Sequence, residues 1–184
     1  MKRVLILAAI LMLAASSAFA QLGTTAPTAT VAVTVAPEAA LTIQTPALAL
    51  TQTGTNFSDY TGTTAFTYFV RTTKVGGTGT IVLQVTTDFT AGGGSTPSVA
   101  SPPTASDHLY YTCTVPNPTS GTSTPCSGVI NSLTTAATNV AAFGTDARSS
   151  KAGVASSVVW GLSNDPLYQT GTYTATITYT ISAT

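Results

Sequence analysis

Charge is what this sequence has least of. Six cations and six carboxylates make up 7% of its 184 residues, where an ordinary globular chain carries roughly 25%. So few cations cannot assemble a basic patch that neutralises a run of phosphates, which excludes nucleic-acid binding. Histidine is nearly absent too: His108 stands alone, so one chain holds no multi-histidine metal site and no second imidazole for acid–base chemistry. The carboxylates Glu38, Asp59, Asp88, Asp107, Asp146 and Asp165 are scattered singly, with neither glycosidase-dyad nor calcium-loop spacing. Asp107 and His108 are neighbours, but adjacent strand residues point to opposite faces, and no Gly-x-Ser-x-Gly elbow offers a nucleophile. Gly76-Gly77-Thr78-Gly79 lies between strand-like segments rather than before a helix, so it reads as a hairpin turn and not as a phosphate cradle. No catalytic residue, metal or cofactor is expected, and the chain reads as a non-enzyme.

Threonine occupies the place of the missing charges, with 39 in the sequence, and it alternates most clearly from Thr172 to Thr180. The 43% of hydrophobic residues is too high for charge-driven disorder. The N-terminus has the three parts of a secretory leader: Lys2 and Arg3, an apolar run from Val4 to about Ala15, and Ala18-Phe19-Ala20 before Gln21. That run is too short to span a bilayer, and no Cys follows the cleavage point to take a lipid. The expectation is a signal peptide over 1–20 and a mature domain over 21–184, exported to the periplasm, cell surface or medium, with no transmembrane segment after cleavage. Cys113 and Cys126, the two cysteines, bracket a Pro-, Ser- and Gly-rich stretch, and an oxidising compartment favours a disulfide between them.

A period of two dominates the mature chain. Tyr173, Ala175, Ile177, Tyr179, Ile181 and Ala183 alternate with Thr172, Thr174, Thr176, Thr178, Thr180 and Ser182, a half-buried strand. Thr30 to Val35 has the same pattern, with Val31, Val33 and Val35 on one face, until Pro37 interrupts it. Further strands are expected at 41–44, 65–73, 80–89, 109–115 and 154–162, and a short Ala-bearing helix within Leu133 to Phe143. The stretch 91–107, with three consecutive glycines and three prolines, reads as a long exposed connection. No repeat of 20–50 residues marks a solenoid. Together these features predict an all-β chain, one antiparallel Ig-like β-sandwich of seven to eight strands.

Aromatic residues such as Phe66, Tyr68, Phe69, Tyr111, Tyr168, Tyr173 and Tyr179 suit a sandwich core, and Tyr110 alternates away from its neighbours as the candidate exposed contact for a glycan. The threonine faces fit a pleated surface and keep it wet without charge. Ice binding would need flat, untwisted Thr arrays, whereas sandwich sheets twist. Asn56-Phe57-Ser58 matches an N-glycosylation pattern, and the Thr, Ser and Pro loops suit glycan attachment.

The segments Thr28–Val35 and Gly171–Thr184 resemble the ends of secreted bacterial Ig-like surface proteins, including spore-coat-U-like and chaperone–usher pilin subunits. Trp160-Gly161-Leu162 before the last strand is also similar to Trp-x-Leu surface domains. The resemblance implies a segment, Thr30, Val31, Val33 and Val35, that completes another subunit's sheet by strand addition. The expected function is a structural or adhesive protein of the bacterial envelope, pairing with itself or other envelope proteins through edge strands. The alternative is a secreted carbohydrate-binding module.

Overall fold

Alternating side chains with β-branched residues on the outer face build ten strands and no helix among the described residues. The computed structural model describes residues 28–90, 95–100 and 102–184; the expected leader, 1–20, lies outside them. The strands are β1 (Glu38–Ile43), β2 (Thr51–Gln52), β3 (Tyr60–Arg71), β4 (Gly79–Thr90), β5 (Leu109–Thr114), β6 (Ser123–Pro125), β7 (Ile130–Asn131), β8 (Thr138–Phe143), β9 (Val154–Leu162) and β10 (Thr174–Ala183). One antiparallel sheet runs β1-β3-β9-β5-β7, with the short β2 also paired to β3; the other runs β10-β4-β8-β6. This is an all-β sandwich, as the alternation predicts. Seven of its strands are six residues or longer, and the rest are short edge pieces.

Inward residues of both sheets meet in one core. Phe66 and Tyr68 of β3, Ile81, Leu83 and Val85 of β4, Tyr111 of β5, Val140 of β8 and Val158 and Trp160 of β9 are all almost fully buried. Each large apolar side chain so buried contributes roughly 1.5–3 kcal/mol. Tyr68 stacks at a tilt on Phe143, ring centres 4.9 Å apart, and Tyr111 donates from its hydroxyl to Thr138 Oγ1 at 2.9 Å, so both contacts cross between the sheets. The disulfide does the same. Cys113 lies on β5, while Cys126 follows β6 and donates its N–H to Val140 O, with the two Cα atoms 5.8 Å apart. The bridge therefore joins the two sheets as well as closing a loop.

Four expectations are corrected. The Ala-rich stretch forms β8 rather than a helix, because Val140, Ala141 and Phe143 bury against β4 and the tertiary gain overrides local propensity. Gly76–Gly79 does not close a hairpin: β3 and β4 lie in different sheets, and the turn arches between them. A Cβ at Gly77 would meet backbone atoms of Thr73 at 2.3 and 2.4 Å, so this arch requires glycine. The 91–107 connection is not wholly exposed. Asp88 accepts from Ser98 Oγ at 2.7 Å and Val99 N at 2.8 Å, which pulls Val99 into the core. Finally, Thr30–Val35 belongs to no strand of this chain, since β1 begins only at Glu38, after Pro37. A strand exists only with a ladder partner, and the fold supplies none to that segment among the described residues.

Candidate functional site

The threonine face of β10 is held by hydroxyls paired across to β4. Thr86 Oγ1 and Thr178 Oγ1 lie 3.1 Å apart, as do Thr80 Oγ1 and Ser182 Oγ. Cross-strand hydroxyl pairs of this kind stabilise a sheet face without charge. β10 pairs with β4 along one side only, leaving its opposite edge without a partner strand among the described residues. Natural sheets blunt such edges with charge, proline, bulges or brevity. β6 and β7 are two or three residues long, β6 ends in Pro125, and β1 opens with Glu38. β10 has ten residues and no charged side chain or proline, and its bulges against β4 fall near its start, between Thr174 and Ile177.

Across from β10 lies β1, the edge of the other sheet. The two edges approach each other without pairing. A groove of about 1000 Å³ opens there, lined by Ile43, Leu48 and Leu50 on one side, Trp160 and Leu162 at its floor, and Phe89, Ile177 and Tyr179 on the other. Inward residues of β10, including Ala175, Ile177 and Tyr179, are consequently only half-buried, unlike those of the central strands. The Tyr179 hydroxyl is shut from solvent near Thr64 and Trp160 yet makes no hydrogen bond of good geometry, and burial pushes its pKa up to about 12. Asn56 and Phe57, both at positive φ, hold the Phe57 ring out at the groove's rim, 58% exposed.

Val31, Val33 and Val35 are 95%, 84% and 64% exposed. The chain is anchored just after them: Arg71 donates from Nε to Ala36 O at 2.7 Å and forms an ion pair with Glu38. Tyr110, the expected exposed aromatic, is half-buried on the outer face of its sheet. It packs on Gly161, where a Cβ would come within 2.1 Å of the ring, and donates to Asp59 at 2.8 Å. Burial, with the Asp59 carboxylate beside it, raises the Tyr110 pKa. His108 and Asp107 part company as adjacent strand-edge residues do: His108 Nε2 meets Asn131 Oδ1, while Asp107 accepts from Ser98 N and receives the Tyr168 hydroxyl. Tyr168 is raised in pKa by burial and by that carboxylate.

Among the described residues, no three His, Cys, Asp or Glu side chains gather as metal ligands, and no helix is long and apolar enough to cross a membrane. No protein-family model matches the chain, and comparisons with curated proteins and with solved structures return no match. The groove and the β10 edge were missed in the sequence because openness is a property of how two sheets meet. Their signal was the long, charge-free alternation from Thr172 to Ala183.

Proposed function

We propose that this chain is a non-enzymatic, exported structural or adhesive protein of the bacterial cell surface or an extracellular fibre, and that its copies associate by strand pairing. The observation that carries this reading is the unpartnered, uncharged edge of β10 beside a groove with an apolar floor. The segment Thr30–Val35 suits that edge: its valines alternate, they are exposed, and an added strand would bury them against the half-buried Ile177 and Tyr179. The inter-sheet disulfide and the leader-like N-terminus support export to an oxidising compartment. Deletion of Thr28–Val35 tests it. The expected result is loss of the oligomers that the intact mature chain forms in sedimentation velocity; an unchanged oligomer distribution overturns strand pairing by this segment.

A carbohydrate-binding module is the second reading, favoured by Tyr60, Tyr173 and exposed Phe57 on the groove wall beside the amides of Gln52 and Asn164. Flat aromatic rings with amides at their margin suit sugar rings. A glycan array on which the mature chain binds nothing removes this reading.

A further inference from the structure

The few charges of this chain are sorted by position. Arg71 ends β3, Lys74 lies in the arch to β4, and Arg148 and Lys151 lie between β8 and β9, so all four described cations sit at one end of the sandwich. Arg71 and Arg148 bridge through their backbones, and Asp146 donates its N–H to Thr73 O, which fixes these turns side by side. Only Glu38 and Asp146 are acidic there, each paired to an arginine, which leaves Lys74 and Lys151 exposed and without an ion pair among the described residues. Asp59 before β3, Asp88 near the end of β4, Asp107 before β5 and Asp165 after β9 lie at the opposite end, where no described cation accompanies them. The strand ladders place Asp59, Asp107 and Asp165 at one end, since Tyr60 and Leu109 both pair with Leu162, and Ser98, bonded to both Asp88 and Asp107, brings Asp88 to the same end. At roughly 3.3 Å per residue, twelve-residue β3 separates the ends by about 40 Å, several Debye lengths at 0.1 M salt. Each end therefore presents its own sign.

We propose that the acidic end docks the basic end of a second copy, so that copies join head to tail. This inference rests on the self-association reading and adds its polarity. Opposite ends of one molecule form a heterologous contact, which propagates into an open chain where the rotation does not close a ring. Arg71 holds the Ala36 carbonyl at the basic end, while the groove, with Asp165 on its lining, lies toward the acidic end. Head-to-tail docking thus brings one copy's Thr30–Val35 to the next copy's groove. The uncharged strand faces between the ends supply no competing charge contact, so the end charges set orientation and encounter rate.

Sedimentation velocity of the mature chain at about 20 mM and about 500 mM NaCl tests this, with Lys74→Glu/Lys151→Glu and Lys74→Arg/Lys151→Arg beside the wild type. These lysines are exposed and unpaired, so reversal leaves the fold intact, which thermal melting checks. The expected result is association weakened about tenfold by high salt and by the Glu variant, and unchanged in the Arg variant. Asp165→Lys at the other end, on a half-buried carboxylate, weakens it likewise. Association indifferent to salt and to charge reversal overturns end-to-end docking while leaving strand pairing in place. A wild type that stays monomeric at every salt and concentration overturns both.

Discussion

The Trp160 indole N–H donates to Thr64 Oγ1 at 2.9 Å, joining β9 to β3 inside the core just beneath the open groove. Thr64 is buried at 6% exposure, so its hydroxyl is there for this partner and not for water. Thr64→Val keeps the shape and strands the indole donor, at a cost of about 1–3 kcal/mol. Urea titration followed by the fluorescence of Trp160, the only tryptophan, reads that loss directly. An unchanged midpoint contradicts the role of the bond.

Cys113 and Cys126 join opposite sheets beside the Tyr111–Thr138 contact. Cys113→Ser/Cys126→Ser is expected to lower stability by about 2–4 kcal/mol, the range for a short closed loop. The β6 edge, three residues long and tied to the core by this bridge, should lose hydrogen-exchange protection first. Loss spread evenly over the chain would speak against a local tether.

Gly161 gives the Tyr110 ring its seat, with no room for a Cβ. Gly161→Ala expels the ring, breaks its bond to Asp59, and costs about 1–3 kcal/mol by overpacking. Tyr110→Ala in the same background should recover part of that loss, because the clash disappears with the ring; denaturation of the double variant is the check.

Burial lifts the phenols of Tyr68 and Tyr179 from 10.0 to about 12. The folded state therefore keeps protons that the unfolded chain releases, so this stabilisation is complete below pH 10 and is lost as pH rises through about 12. Tyr179→Phe removes one of these contributions. It should leave stability at pH 7 within roughly 1 kcal/mol, since the hydroxyl lacks a hydrogen-bond partner, and make the decline above pH 10 shallower. Urea midpoints between pH 7 and 12 that fall in parallel for both proteins would contradict the burial of Tyr179.

Much of the architecture was legible because alternation reports burial directly. The strands expected at 80–89 and 154–162 are the ones that carry Ile81, Leu83 and Val85 and Val158, Trp160 and Leu162 into the core. β8 was not legible: Ala141 there reports the tight approach of a neighbouring strand, and its helix propensity points the other way. Nor was the arch at Gly76–Gly79, because a glycine cluster signals a turn without saying whether it stays within one sheet. The sorting of charge onto two ends was likewise hidden, since Asp59, Asp107 and Asp165 come together only once β3, β5 and β9 pair. Tyr110 shows the limit of alternation: it does face outward, but Gly161 and Asp59 engage it.

Strand pairing between copies is read by hydrogen exchange of residues 21–184, compared between dilute monomer and concentrated assembly. Amides of Thr30–Val35 and those of β10 facing away from β4 are expected to become protected together on assembly. An assembly in which both segments exchange as fast as in the monomer, or a chain that never assembles, would contradict it.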